Sequence, residues 1–344
     1  MDRLLVADLA ATSRNWALTP EGERRLVEAA PAGWRVHVIR APTSSDGDGP
    51  PRPSDEVMGA VRDAEVYFGF GMPRPLFLQA AELRWVHSAA AGVGSALYPE
   101  MVASHVLFTN SAGIHAIPIA EYVVGGVLYF LRGFDFAVDQ RRHGEWNKTP
   151  FVRVDSVLRE MDTVRALIVG VGGLGGATAQ RLAALGAHCT GIRRRAGLGT
   201  PPGFERVVPL DQLDAELPTH DVIVLAAPLT EETSGLLTAS RLDLLPERAI
   251  VVNVARGGMV DEIALIDRLQ AGRLRGAVVD VFREEPLPRA NPLWQLRNVL
   301  LTPHVSPVSP GRFWPRQLDL FLGNWRRYVR GESLLNLVDK QAGY

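Results

Sequence analysis

In the middle of this chain, a strand-like apolar run leads directly into a glycine-rich turn. Residues 164–169 are followed by Gly-Val-Gly-Gly-Leu-Gly at residues 170–175 and then by a helical stretch that ends before Gly186. In a G-x-G-x-x-G turn the first glycine makes the tight turn, the second admits a pyrophosphate against the backbone, and the third lets helix and strand pack closely. Amides at a helix N-terminus also bind phosphate. The motif therefore predicts dinucleotide binding.

Apolar runs recur through the second half of the chain, and each is continuous rather than alternating. They lie at residues 166–169, 187–192, 222–226, 250–254, 277–281 and 299–301. Continuous runs are typical of parallel strands covered on both faces, and segments between them, such as 261–271, have helical periodicity. The pattern predicts a six-stranded, doubly wound nucleotide-binding domain.

The first third of the chain predicts a smaller parallel α/β unit, with strands at residues 4–7, 35–39, 66–68, 85–86 and 106–108. Residues 42–54 have the composition of a loop. A long apolar helix is expected at 116–132, and an amphipathic helix at 313–330 is long enough to return to the first domain. We expect one domain from residues 1–113 and 309–344, and the nucleotide-binding domain from residues 114–308.

Charge and cysteine content exclude several classes of partner. Lysine plus arginine (37) nearly balance aspartate plus glutamate (38), which argues against nucleic acid or an anionic membrane surface. The single cysteine, Cys189, excludes an internal disulfide and a thiolate metal cluster. The longest apolar run, 116–131, is shorter than the about 20 residues that span a bilayer. We expect a cytoplasmic protein with no metal.

The end of the second strand of the nucleotide-binding domain carries arginines. A carboxylate about 20 residues after the glycines would bind the ribose 2′-hydroxyl of NAD. Arg193 and Arg194 stand there instead, and a guanidinium group pairs with the 2′-phosphate of NADP. The sequence predicts NADP(H), with NAD(H) as the alternative cofactor. The structural alternative is a solvated basic edge after the strand.

Three further polar residues each follow a predicted strand. Arg256 follows the run at 250–254, Glu285 the run at 277–281, and His304 the run at 299–301. The carboxyl ends of parallel strands line the ligand crevice of an open α/β sheet. Together with the glycine motif and Ala-Pro-Leu-Thr-Glu-Glu-Thr at residues 227–233, this ordered set resembles the D-isomer-specific 2-hydroxyacid dehydrogenases, from about Trp85 to Tyr344.

The resemblance implies an α/β protein of two doubly wound parallel-sheet domains, with a Rossmann nucleotide-binding domain inserted in a smaller flavodoxin-like substrate domain. It also implies a homodimer. The implied activity is NADPH-dependent reduction of a small 2-oxo acid, of the glyoxylate or hydroxypyruvate class, to the D-2-hydroxy acid. Two alternatives stay open: a dinucleotide-sensing, corepressor-like binding protein, and a phosphite dehydrogenase that uses the same three residue types.

The family's roles can be carried over residue by residue. Arg256 matches the arginine that binds the substrate carboxylate and carbonyl oxygen, His304 matches the general acid, and Glu285 matches its partner. Asp280 resembles the aspartate that contacts the nicotinamide carboxamide. The expected cofactor-binding residues are Gly170, Gly172, Gly173, Leu174, Gly175, Arg193, Arg194, Ala227, Pro228, Ala255 and Asp280.

Two loops of the first domain resemble the family's substrate loops. Residues 88–94 resemble the loop whose backbone amides receive the substrate carboxylate, which points to Ala91, Gly92 and Val93. The family commonly has aspartate where Gly94 stands. Phe70 belongs to the other loop, where its ring is expected to limit the pocket.

Overall fold

The computed structural model describes residues 3–11, 16–42 and 52–343. The chain divides into two compact units, which we call the first unit (Met1–Ile114 with Ser309–Tyr344) and the second unit (His115–Val308). Of the loop predicted at 42–54, residues 43–51 lie outside the described residues.

The described residues form parallel strands alternating with helices. The strands are β1 (Arg3–Asp8), β2 (Trp34–Val38), β3 (Val66–Gly69), β4 (Trp85–Ser88), β5 (Leu107–Thr109), β6 (Arg165–Val169), β7 (His188–Ile192), β8 (Arg206–Val208), β9 (Val222–Leu225), β10 (Ile250–Asn253), β11 (Gly276–Val279) and β12 (Val299–Leu301). The helices are α1 (Pro20–Glu28), α2 (Asp55–Ala60), α3 (Arg74–Gln79), α4 (Pro99–Ala103), α5 (Ala116–Leu131), α6 (Phe134–His143), α7 (Thr149–Val152), α8 (Gly173–Ala184), α9 (Leu213–Glu216), α10 (Ala239–Asp243), α11 (Glu262–Gln270) and α12 (Phe313–Val329).

In the described residues of the first unit, five parallel strands lie in the order β2-β1-β3-β4-β5. This is the strand order of flavodoxin-like sheets. Each strand overlaps one of the apolar runs of the sequence, so the predicted smaller α/β unit is confirmed.

Helix α12 packs on the sheet of the first unit through aromatic rings. Phe321 stacks on Phe68 at 4.1 Å and on Trp85 at 5.3 Å between ring centroids. All three side chains are buried, and Trp325 adds a fourth large ring to the same core. The helix predicted at 313–330 is confirmed, and its apolar stripe is what attaches it to this unit.

The second unit, all of whose residues are described, contains a seven-stranded parallel sheet in the order β12-β11-β10-β9-β6-β7-β8. Counted from β6, the order 3-2-1-4-5-6 is that of a Rossmann sheet, with β12 added at one edge. The expectation of six strands is wrong, because it does not include the short edge strand β8. Only Val208 of β8 is buried and Arg206 pairs with Glu216, so β8 produces no apolar run in the sequence.

Strands β9, β10 and β11 are buried along their whole length, as continuous apolar runs predict. Helix α5 covers one face of this sheet with Val123, Val127 and Phe130, which confirms the helix expected at 116–132. Helix α11 contributes Leu265 and Leu269 to a second apolar cluster, which includes Val251 of β10 and Val279 of β11. The sheet is thereby covered by apolar side chains from α5 and α11.

Within the described residues, no single helix is long and apolar enough for a bilayer span. Helices α5 and α6 pass that test only as a pair, and the chain bends by 68° between them.

Candidate active site

The turn between β6 and α8 has the geometry that its glycines predict. Gly170 has a φ of +105°, and a Cβ at Gly175 would lie 1.8 Å from the Gly170 carbonyl oxygen. Side chains are therefore excluded at both positions. Gly172 is the N-cap of α8, a Cβ there would meet open space, and no side chain among the described residues caps the helix. The open backbone at Gly172 and the uncapped amides of Gly173 and Leu174 fit a pyrophosphate.

The arginines that follow β7 differ in their surroundings. Arg193 is half-buried and donates from Nη2 to the carbonyl oxygens of Ala196 (3.2 Å) and Gly199 (2.5 Å), so it stabilises its own loop. Arg194 is exposed, and its Nη1 lies 3.6 Å from Oε2 of Glu232. Residues 191–199 contain no carboxylate.

Arg256 follows β10 in a turn that the side chain of Asn253 holds. Asn253 accepts a hydrogen bond from the Ala255 N–H at 3.2 Å and donates one to the Arg256 carbonyl oxygen at 3.0 Å. Arg256 is exposed, and its Nη1 donates to the Ala255 carbonyl oxygen at 2.7 Å. The function of Asn253 was not predicted from the sequence, although a polar residue that ends a continuous apolar strand is a visible signal.

His304 and Glu285 form a close, accessible pair. Nδ1 of His304 lies 2.8 Å from Oε2 of Glu285, and the other carboxylate oxygen accepts the N–H of Phe282 at 2.9 Å. Both side chains are exposed. Because Nδ1 faces the carboxylate, Nε2 of His304 is the ring nitrogen available for exchanging a proton with a ligand.

The buried carboxylate of Asp280 holds the segment that carries His304. It accepts hydrogen bonds from the N–H groups of Val305 and Ser306, both at 2.9 Å, and from the Thr302 hydroxyl at 2.5 Å. The Asp280 carbonyl oxygen accepts the N–H of His304 at 2.9 Å. His304 itself has a φ of +51°, so these bonds stabilise a backbone conformation that few residues adopt.

A tyrosine of helix α5 completes this network. The Tyr122 hydroxyl lies 2.7 Å from the Thr302 hydroxyl. Since Thr302 gives its only proton to Asp280, Tyr122 is the donor in this contact. Burial raises the pKa of Tyr122 to about 12, so it remains a donor at neutral pH. Thr302 and Tyr122 were missed from the sequence, because nothing in their spacing indicates that they touch.

The remaining candidate cofactor residues lie at the same edge of the sheet. Ala227 and Pro228 follow β9, and the Pro228 carbonyl oxygen accepts the Thr233 hydroxyl at 2.7 Å. Ala255 adjoins Arg256. The second unit therefore brings the glycine turn, the arginines after β7, and Arg256, Asp280, Glu285 and His304 to the carboxyl ends of its strands, where open α/β sheets bind ligands.

The candidate substrate residues other than Arg256 lie in the first unit and follow its strands in the same way. Ala91 and Gly92 are exposed after β4, whereas Val93 is buried. Phe70 follows β3, is 41% exposed and stacks on Phe313 at 6.4 Å between centroids. Among the described residues, no group of three or more histidine, cysteine, aspartate or glutamate side chains is placed to hold a metal ion.

Comparison with known proteins decides the family. Residues 124–306 match the model of the NAD-binding domain of the D-isomer-specific 2-hydroxyacid dehydrogenases. The chain belongs to this family. It is 33% identical over 275 residues to glyoxylate/hydroxypyruvate reductase A of Salmonella paratyphi B, a match that covers 78% of this chain and 84% of the relative.

Two solved structures of the family are similar over essentially the whole chain. A D-isomer-specific 2-hydroxyacid dehydrogenase of Xanthobacter autotrophicus Py2, in complex with NADPH and MES, is 29% identical with a TM-score of 0.80, covering 100% of this chain and 99% of that one. The NADPH-dependent glyoxylate/hydroxypyruvate reductase of Sinorhizobium meliloti, in complex with NADP and sulfate, is 26% identical with a TM-score of 0.78. That match covers 99% of this chain and 100% of the other.

Proposed function

We propose that this member of the family is an NADPH-dependent reductase that converts a small 2-oxo acid, of the glyoxylate or hydroxypyruvate class, to the D-2-hydroxy acid. The observation that carries the proposal is the 2.8 Å pair of His304 and Glu285, at the same sheet edge as Arg256 and the glycine turn. The names of the similar reductases support the substrate class.

NADP(H) fits the residues at this edge. The open backbone at Gly172 and the uncapped N-terminus of α8 suit the pyrophosphate, and the exposed guanidinium group of Arg194 suits a 2′-phosphate. Arg193 holds the loop that carries Arg194, through its hydrogen bond to the Gly199 carbonyl oxygen. When bound, the reduced nicotinamide supplies the hydride for the carbonyl carbon of the oxo acid.

The chain's own residues then bind and protonate the substrate. The planar fork of Arg256 binds the carboxylate and the adjacent carbonyl oxygen, and polarises the carbonyl. In the first unit, the amides of Ala91, Gly92 and Val93 form the proposed carboxylate-binding loop. Nε2 of His304 gives its proton to the developing alkoxide oxygen, while the Glu285 carboxylate stabilises the imidazolium and fixes the ring.

The proposal extends to assembly and location. The protein acts as a homodimer. Exposed apolar side chains along residues 134–157 support this, among them Phe134, Trp146, Val152 and Val154. Its balanced charge provides no field for nucleic acid or an anionic membrane. The single cysteine suits the reducing cytoplasm.

A turnover assay tests the function. We expect loss of NADPH absorbance with glyoxylate and hydroxypyruvate, and a decrease of at least about a hundredfold in kcat for His304→Asn. Asparagine is the suitable replacement because it tolerates the positive φ of this position. Binding of NADPH without turnover of any 2-oxo acid would instead indicate a sensing protein, and reduction of NADP by phosphite would indicate a phosphite dehydrogenase.

A further inference from the structure

The loop after β4 is attached to residues 110–111 through its carbonyl oxygens. The Ser88 carbonyl oxygen accepts the Ser111 hydroxyl at 2.7 Å, and the Ala90 carbonyl oxygen accepts the Ser111 N–H at 3.2 Å. The Ala91 carbonyl oxygen accepts Nδ2 of Asn110 at 2.8 Å. Gly94 has no side chain to contribute, so residues outside the loop hold these carbonyl groups.

These contacts fix the direction of two amides. A trans peptide group points its C=O and its N–H in opposite directions, and both groups concerned are trans. The bond to the Ala90 carbonyl therefore orients the N–H of Ala91, and the bond to the Ala91 carbonyl orients the N–H of Gly92. In the described parts of the chain neither N–H has an acceptor, and both residues are exposed.

A C-terminal segment holds residues 110–112 in turn. We call residues 335–340 the strap. It pairs antiparallel with the edge strand β5, with Val338 donating to the Phe108 carbonyl oxygen at 2.8 Å. Nδ2 of Asn336 donates to the carbonyl oxygens of Asn110 (3.2 Å) and Ala112 (2.8 Å), and its own carbonyl oxygen accepts the Asn110 N–H at 3.1 Å.

The position of Asn336 suits this bracing function. Its φ is +53°, a conformation that asparagine, aspartate and glycine adopt most readily. Asn110 is 7% exposed. Its Oδ1 accepts the Ala112 N–H at 3.1 Å, and its Nδ2 donates to the Ala91 carbonyl oxygen. A continuous series of hydrogen bonds thus connects the strap to the Ala91 carbonyl oxygen, which belongs to the same peptide group as the N–H of Gly92.

We propose that Asn336 and Asn110 are positioning residues, and that the strap orients the Ala91 and Gly92 amides to receive a substrate carboxylate. The inference rests on the proposed function, which makes this loop part of the substrate site. A ligand carboxylate can accept hydrogen bonds from these two aligned N–H groups without displacing an internal partner, because neither N–H has an acceptor within the described residues.

Two nearly isosteric substitutions test the proposal in the full-length protein with NADPH. Asn336→Asp keeps the shape and the tolerance of positive φ but removes both donated bonds, and Asn110→Asp removes the bond to the Ala91 carbonyl. Each should raise the KM for glyoxylate about tenfold, equivalent to about 1.4 kcal/mol, and leave the KM for NADPH within about twofold. An unchanged KM for glyoxylate in both variants overturns the proposal.

Lys340→Met is the matched control on the strap. Nζ of Lys340 donates to the carbonyl oxygens of Met101, Ser104 and Val106, and to none of residues 110–112. This variant should lower Tm without raising the KM for glyoxylate. If it raises the KM as much as Asn336→Asp does, the strap acts through general stability and the proposal is wrong.

Oxalate binding separates this inference from the proposed function. If the wild-type protein reduces neither glyoxylate nor hydroxypyruvate, the proposed function fails. Calorimetric titration of the NADPH-loaded protein with oxalate still measures whether the loop binds a carboxylate. We expect the Kd for oxalate to rise about tenfold in Asn336→Asp and to be unchanged in Lys340→Met. Failure of oxalate to bind the wild-type protein, or equal binding by all variants, overturns the inference.

Discussion

The geometry around Arg256 explains why lysine should not replace it. Asn253 fixes the backbone on both sides of the turn, and one guanidinium nitrogen holds the Ala255 carbonyl oxygen. In the proposed function the rest of the planar fork binds a carboxylate and a carbonyl oxygen, which a single ammonium group cannot bind in the same arrangement. We expect Arg256→Lys to lower kcat/KM for glyoxylate by at least about a hundredfold. Steady-state kinetics give the answer, and near-normal kcat/KM would remove Arg256 from the site.

His87 makes the stability of the protein sensitive to acid. It is fully buried in the first unit, between Thr109 (2.7 Å from Nδ1) and Gln317 (3.1 Å from Nε2), and burial lowers its pKa to about 3. The unfolded chain takes up this proton below about pH 6.5, whereas the folded chain does so only near pH 3. The free energy of unfolding should therefore fall as the pH decreases through this window, by up to about 1.4 kcal/mol per unit from this group.

Urea unfolding at intervals between pH 7 and pH 4 measures that slope. The variant His87→Gln has no titrating ring, so its unfolding free energy should decrease less steeply with acid even if it is lower at pH 7. Equal slopes in the two proteins would show that His87 is not the group responsible.

Among the strands and helices, the elements that local sequence patterns determine were predicted correctly. Both sheets, α5, α12 and the glycine turn follow from continuous apolar runs or from fixed spacing, and the structure confirms them. Strand β8 was not predicted, because an edge strand need not be apolar. The contact between Tyr122 and Thr302, 180 residues apart, and that between Asn336 and Asn110 could not be predicted, because sequence spacing carries no record of which distant polar groups meet.

The end of strand β7 should determine the choice of cofactor. A 2′-phosphate gains charge-assisted hydrogen bonds of about 1.5–3 kcal/mol each from guanidinium groups. Residues 191–199 contain no carboxylate of their own for the NAD ribose. We expect kcat/KM with NADPH to exceed that with NADH at least about tenfold, and the ratio to shrink with added salt. Arg194→Ala should lower the NADPH value alone, whereas Arg193→Ala should also loosen the loop that it holds.

Glu232 provides the reciprocal test of this strand end. Its carboxylate lies 3.6 Å from Arg194 and competes with a phosphate for the same guanidinium group. Glu232→Gln should therefore raise kcat/KM for NADPH modestly and leave NADH unaffected. Equal use of both cofactors by the wild-type protein, with no response to either substitution, would mean that these side chains only solvate the strand end.

For the chain as a whole, the exposed apolar side chains between residues 134 and 157 predict self-association. Trp146 and Val154 are almost entirely exposed, and aromatic residues are enriched where protein surfaces meet. A two-fold symmetric interface presents the same surface twice, so one substitution changes both halves of it. Sedimentation velocity should give twice the 37.5 kDa of a single chain.

A charge on this surface should dissociate the dimer. In Val154→Asp, association would bury an unpaired carboxylate from each chain, so we expect monomers at micromolar concentration. Ile263→Asp is the matched control, because Ile263 is also exposed but lies on α11, outside residues 134–157. Monomeric wild-type protein would contradict the homodimer. A new charge prevents association only where the partner chain covers it. If Ile263→Asp dissociates the dimer and Val154→Asp does not, the interface therefore lies on another face of the protein.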